Sequence, residues 1–342
     1  MKIIKINMSL RLVAPHVFLS CLLLFLFVLL STSAAQPARA LTVSPVRMEV
    51  GGDPGRPVTR TIRLTNEQDE TKTFYVSFEN FIAQGETNKP EFTGADDDLA
   101  TWITAPSQVT LEPGRMVEVP ISISIPADAD PGDHFAAIFW STSPPAPAES
   151  GQVAIGGRLG VLVLLTVSGD VVREGQLIEL GTDNNQQYFS MLPITFTYRL
   201  QNTGNVRLKP GGAVKIQDMF GNEVAILDAN LQEGNTLPET IRKYEVVWDR
   251  EEKSENADEP TGFWGAVREQ ISDFKIGRYT ANLDLTLDES LPTASAQFGF
   301  TIIPWQLLTV GGGGLVAAAL ILWLLLRLHT RRAVRKALEA RR

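Results

Sequence analysis

Thiol and imidazole are nearly missing from this chain. Its 342 residues include one cysteine, Cys21, and three histidines, His16, His134 and His329. Between Leu41 and Ile303 only His134 remains, so Cys–His catalysis and multi-histidine metal sites have no residues to be built from. Disulfides are excluded as well, and an exported chain without them must be held by its core. No Asn-x-Ser/Thr acceptor occurs after residue 40. Positive charge is scarce. Residues 41–303 carry 20 Lys and Arg against 38 Asp and Glu, an acidity that repels nucleic acid and other polyanions. The aspartate groups Asp96-Asp97-Asp98 and Asp128, Asp130, Asp133 lack the Gly and Glu offsets of a calcium loop and read as turn acids. The expectation is a protein that is not an enzyme, with no cofactor and no metal.

Two apolar runs frame the chain. Residues 1–40 read as a signal peptide. Lys2, Lys5 and Arg11 form a basic start, Val17 to Leu30 a short apolar stretch, and Ala38-Arg39-Ala40 a small-x-small cleavage site. The second run, within residues 304–328, reads WQLLTVGGGGLVAAALILWLLLRL from Trp305 and is charged only at Arg327. At about 1.5 Å per residue it covers the roughly 30 Å hydrocarbon core as a helix. Trp305 and Trp323 suit the two interfaces. Residues 329–342 are basic, with Arg331, Arg332, Arg335, Lys336, Arg341 and Arg342 against Glu339. That bias predicts a single-pass cell-membrane protein, with its tail cytoplasmic and its ectodomain extracellular. Gly311, Gly312, Gly313 and Gly314 permit close helix contact, hence a candidate homodimer.

The ectodomain alternates with a period of two. Val43 to Val50, Thr59 to Leu64, Phe74 to Phe78 and Val117 to Ile125 read as strands, with Pro120 marking an edge or a bulge. Phe135 to Trp140 follows, then Leu159 to Val167, which is apolar on both faces. A second set comprises Ile194–Leu200, Val214–Ile216, Val224–Leu227, Tyr244–Trp248, Tyr279–Leu287 and Ala296–Ile302, with a hairpin turn at Met219–Asn222. The halves echo each other. Arg63-Leu64-Thr65-Asn66 matches Arg199-Leu200-Gln201-Asn202, and Leu111-Glu112-Pro113 matches Leu237-Pro238-Glu239. The fold expected is all-β, with two tandem Ig-like sandwiches over residues 41–169 and 170–303.

Distal loops are the expected place for recognition, because sheets hold them rigidly. The candidates are Ala83–Leu99, with Phe92, Asp96, Asp97 and Asp98, and Ser143–Gly151, with Pro144 and Pro145. In Thr261–Phe274 the apolar residues Phe263, Val267, Ile271 and Phe274 recur at helical spacing. That helix could cap the second sandwich or lie on a membrane, anchored by Trp264.

LTVSPVRMEV, the pattern from Trp102 to Gly114, and IPADADPGDHFAAI resemble the first extracellular domain of the bacterial WxL-interacting proteins. QNTGNVRLKPGG, DMFGNEV, LPETIRKYEVVW and GRYTANLDL before the span resemble their membrane-proximal domain. The resemblance implies peptidoglycan binding by the first domain and partner surface proteins for the second. Two functional readings follow. One is an anchored module that binds cell-wall polymer or a partner surface protein. The other is a structural or chaperone-like assembly factor that pairs strands at a sheet edge.

Overall fold

The computed structural model describes residues 41–144, 157–250, 262–288 and 291–339. Residues 1–40, expected to be a signal peptide and including Cys21, lie outside the described residues, as do Pro145 and the acidic run Glu251–Glu259.

The alternating segments form strands β1 (Leu41–Ser44), β2 (Arg47–Gly52), β3 (Pro57–Asn66), β4 (Lys72–Gln84), β5 (Lys89–Gly94), β6 (Ile103–Thr104), β7 (Gln108–Leu111), β8 (Met116–Ser124), β9 (Gly132–Ser141) and β10 (Arg158–Val167). A short helix, α1 (Asp98–Trp102), precedes β6. One sheet is ordered β1-β3-β8-β6 and the other β2-β10-β9-β4-β5, with β7 also on β4. Between them the inward residues, including Ile62, Leu64, Phe74, Ile121, Ile138, Trp140 and Leu165, are buried in one core. The single strand expected over Val43–Val50 is two strands. It breaks at Pro45, which has no N–H for a ladder, and the chain crosses there from one sheet to the other. Pro120 pairs with Thr61 on β3, while β6 covers only Ser122 and Ile123 on the other side of β8. The missing donor therefore falls beside an open edge.

The second sandwich holds β11 (Gly175–Thr182), β12 (Tyr188–Phe189), β13 (Ile194–Asn202), β14 (Gly211–Gln217), β15 (Glu223–Asp228), β16 (Ile241–Trp248), β17 (Gly277–Thr286) and β18 (Ala294–Ile302), with helix α2 (Gly262–Ser272) before β17. Its sheets run β11-β13-β16 and β12-β18-β17-β14-β15. Phe196, Tyr198, Val214, Ile216, Leu283 and Phe300 centre a separate core. Helix α3 (Trp305–Glu339) follows β18 directly. Over Trp305–Arg331 its mean hydropathy is 2.1 and none of it is buried in the protein, so it is long and apolar enough to cross a membrane. The helix does not stop at Leu328, where the tail was expected to begin, but continues to Glu339.

The echo between the halves has a structural cause. Asn66 is buried at the end of β3. Its Nδ2 donates to the carbonyls of Glu70 (2.9 Å) and Leu111 (3.0 Å), and its Oδ1 accepts from Gln68 N. Asn202 is buried at the end of β13. Its Nδ2 donates to the carbonyls of Val206 (2.8 Å) and Thr236 (3.0 Å), and its Oδ1 accepts from Gly204 N. Each asparagine thus binds two carbonyls and one N–H of the chain around it, tying the end of its strand to a second segment.

Candidate functional site

The loop Ala83–Leu99 does not lie at the distal end: Glu86 pairs with Arg199 at 2.8 Å and Asn88 Nδ2 donates to Asn235 O at 3.3 Å, so it meets the second sandwich. Ala83–Leu99 is not a long open loop. It contains the end of β4, a 3-10 turn at Gly85–Thr87, strand β5 and the start of α1. Phe92, expected to be exposed, is half-buried. Its ring meets Phe139 edge-on at 4.8 Å and Phe81 at 6.2 Å, with the Arg158 guanidinium 5.5 Å from its centre. A single-strand reading misses this, because Phe92 faces Phe81 across the β4–β5 ladder. Asp96 and Asp97 are exposed, and Asp97 accepts from Asn80 Nδ2. Asp98 pairs with His134 Nδ1 at 2.6 Å. Pro144 is exposed, and Pro145 lies outside the described residues. Among the described residues no group of three or more His, Asp and Glu converges as a metal site. Gly311–Gly314 lie inside α3 with nothing within 4 Å of an added Cβ.

His134 has acceptors at both ring nitrogens, the Asp98 carboxylate and the Asp130 carbonyl, the latter at 2.9 Å from Nε2. A neutral imidazole can donate to only one of them. Burial pulls the His134 pKa down. The hydrogen bonds to Asp98 and the Asp130 carbonyl, and the charges of both aspartates, outweigh it and hold it above the ordinary value.

Asp133, next in line, belongs to the junction between the sandwiches. Its side chain is 0% exposed. It accepts from Arg207 N (2.7 Å), from Arg207 Nη1 (3.0 Å to each oxygen) and from Thr166 Oγ1 (2.5 Å). Arg207 also reaches Glu49, and Asn235 Nδ2 donates to Glu49 at 3.2 Å. Asp133 N donates to Asn205 O, and Asn205 ties Pro131, Asp170 and Val172 together. Phe81 and Leu164 of the first sandwich bury against Leu237 of the second, with Leu162 alongside. That contact explains why Leu159–Val167 is apolar on both faces. A cleft of about 510 Å³ opens beside the junction, but its cations are engaged: Arg207 with Asp133, Lys209 with Glu233 and Arg173 with Asp288. An incoming anion would have to displace a carboxylate.

The sheet edges differ sharply in how they are protected. Lys89, Pro90 and Glu91 blunt β5, and Pro120 interrupts β8. A register shift between Leu177 and Glu179 bends β11, and β16 carries Arg242 and Lys243. Arg47 and Glu49 of β2 are spent on the second sandwich. These are the usual devices against edge pairing. β15 is less guarded: it bulges at Val224, between the pairs Ile216–Ala225 and Gln217–Glu223, but holds no proline and no basic residue. It ends the β12-β18-β17-β14-β15 sheet, bonded only to β14, and reads Val-Ala-Ile-Leu between Glu223 and Asp228. Ala225 and Leu227 turn toward the core, while Val224 and Ile226 stand 42% and 60% exposed. Alternate residues of such an edge turn their N–H and C=O outward. Alongside runs a groove of about 530 Å³, lined on one side by residues 224–227 and on the other largely by polar and charged groups, Asp249, Arg250, Ser272, Asp273 and Lys275, above the buried Leu192 and Trp248. The hairpin turn beside it is rigid, since Asp218 Oδ1 accepts from the N–H groups of Phe220 and Asn222, both at 2.9 Å. The alternation of Val224–Leu227 was legible in the sequence. Its place at an edge paired on one side only is a property of the whole topology.

No family model matches this chain, and no curated protein matches it. Among solved structures it is similar to the class 5 fimbriae chaperone CfaA, with 10% identity, a TM-score of 0.38, and 76% of this chain and 99% of that one covered. It is also similar to the CsuC–CsuE chaperone–tip subunit pre-assembly complex of the Csu pili of Acinetobacter baumannii (8%, 0.34, 75% and 97%) and to the E. coli chaperone DraB (12%, 0.32, 77% and 97%). Likenesses of this size leave the functional reading to the sheet geometry.

Proposed function

We propose that this protein is a non-enzymatic, membrane-anchored assembly factor that holds an extended segment of a partner envelope protein against the edge of β15. One observation carries the reading: β15 is a sheet edge bonded on one side only, with Val224 and Ile226 exposed, beside a groove. The outward N–H and C=O groups call for an extended backbone, Val224 and Ile226 offer it apolar contact, and Arg250, Asp273 and Lys275 in the groove add charged contact. Helix α3 serves as the anchor, and the basic residues after Leu328 favour a cytoplasmic end for it. A second copy could seat on Gly311–Gly314. Wall-polymer binding by the candidate loops has less support, since Phe92 and Asp98 are engaged internally.

The test compares a deletion strain with strains carrying Ile226→Lys or Ile226→Pro, since the N–H of Ile226 points away from β14. Loss of the protein should lower the surface level of a particular exported protein, and either edge variant should reproduce that loss while melting like the wild type. If a folded edge variant restores the exported protein fully, β15 is not the site. Binding of the purified ectodomain to isolated cell wall would favour the polymer reading instead.

A further inference from the structure

Helix α2 buries one side and leaves the other bare. Ala266, Val267 and Gln270 face inward. Trp264 and Ile271, seven positions apart and therefore on one face, are 71% and 63% exposed, and Phe274 beyond the helix end is exposed as well. Burying such residues in the protein would stabilise it, yet they are left outside it.

Gln270 decides what lies against them. It is buried, its Oε1 accepts from Leu307 N at 2.9 Å, and its Nε2 donates to the side chain of Gln306 and to Ser190 O. Leu307 N is one of the N–H groups that the first turn of a helix leaves without an internal partner. The side chain of α2 thus caps α3, and Phe263 meets the Trp305 ring at 6.0 Å. α2 is therefore fixed at the level where α3 begins. Trp264 and Trp305 are residues suited to a bilayer interface, and Arg268 lies one turn from Trp264 on the exposed side.

We infer that α2 lies flat on the outer surface of the bilayer, with Trp264, Ile271 and Phe274 dipping to the boundary between headgroups and acyl chains and Arg268 at phosphate level. The partner is the lipid surface itself, because the continuous backbone and the Gln270 cap bring it there. The inference rests on reading α3 as a membrane span and is independent of what β15 binds.

The test uses the full chain with Cys21→Ser, reconstituted into vesicles of phosphatidylcholine and phosphatidylglycerol. An environment-sensitive fluorophore is attached in turn at Trp264→Cys, Ile271→Cys, Leu231→Cys as an aqueous reference and Leu320→Cys as a reference in the span. The expected result is blue-shifted emission, quenched by brominated lipid chains, at 264 and 271, with 231 unaffected and 320 quenched most. If 264 and 271 behave like 231 while 320 is quenched, α2 does not lie on the membrane. If 320 is not quenched either, the span reading falls and this inference with it.

Discussion

Replacing Asp133 with alanine should loosen the joint between the sandwiches more than any other single change at that joint. The side chain is fully buried and accepts from the backbone and the guanidinium of Arg207 and from Thr166. Removing one partner of a buried pair costs about 3–5 kcal/mol, because the other charge stays behind unpaired. Here Arg207 is 15% exposed and can lean further on Glu49 at 3.4 Å, so a loss of about 2–4 kcal/mol is the better figure. For sandwiches of this size that is a fall of roughly 5–15 °C in melting temperature. The double variant Asp133→Leu/Arg207→Met removes both charges and should recover much of the loss. Chemical denaturation of the four-member cycle measures the coupling. Small-angle scattering of the isolated ectodomain should show a broader distribution of shapes for Asp133→Ala alone. Acid acts in the same sense. Burial pushes the Glu49 pKa up, but Asn235, Arg207 and Arg47 hold it below the ordinary value, so its stabilisation is present above that value and fades as pH falls through the lowered one. A coupling energy near zero would refute the argument and leave the apolar contact at Leu237 to hold the joint.

Other outcomes follow from the same geometry. His134 has a raised pKa in the fold, so its contribution is complete below the ordinary value and is lost as pH rises through the raised one. Melting temperature should decline over that window in the wild type, and the decline should vanish in His134→Gln. Asn66→Ala and Asn202→Ala each remove three hydrogen bonds to the backbone and should each cost about 1–3 kcal/mol by denaturant titration, more at Asn202, whose three bonds are all buried, with additive effects because they lie in separate sandwiches. Gly132→Ala should destabilise, since Gly132 has φ +126° and an added Cβ would lie 2.6 Å from Asn205 O; an unchanged melting temperature would mean the junction yields easily. Reductant and chelator should leave the melting curve of the mature chain unmoved, and a large chelator effect would make the Asp128–Asp133 segment a calcium site.

Strands were legible because alternation is a local signal, as in Val117–Ile125 on β8 or Ile194–Leu200 on β13. The repeat was legible through Asn66 and Asn202, although the reason for it, three matched hydrogen bonds, was not. What failed was everything decided by pairs distant in sequence. Phe92 looked like a loop residue until β5 folded back on β4, and Asp133 looked like a turn acid until Arg207 arrived 74 positions later. The edge at β15 is the same kind of fact. Nothing in Glu223–Asp228 says that it pairs on one side only, because that depends on where β14 and β17 lie.

The cap that Gln270 places on α3 has a mechanical meaning. Together with the lock at Asp133 it joins the far sandwich, the near sandwich and the first turn of the helix with no loose coupling at either of those two seams. A twist applied to the first turn of the helix would then reach Leu41 as a rotation of the entire outer body, as through a shaft. The soft section of that shaft is Gly311–Gly314, where four residues in succession carry no side chain to stiffen the turn. Torque from the C-terminal end of the helix would be absorbed there, one turn beyond the cap, before it could swing the sandwiches.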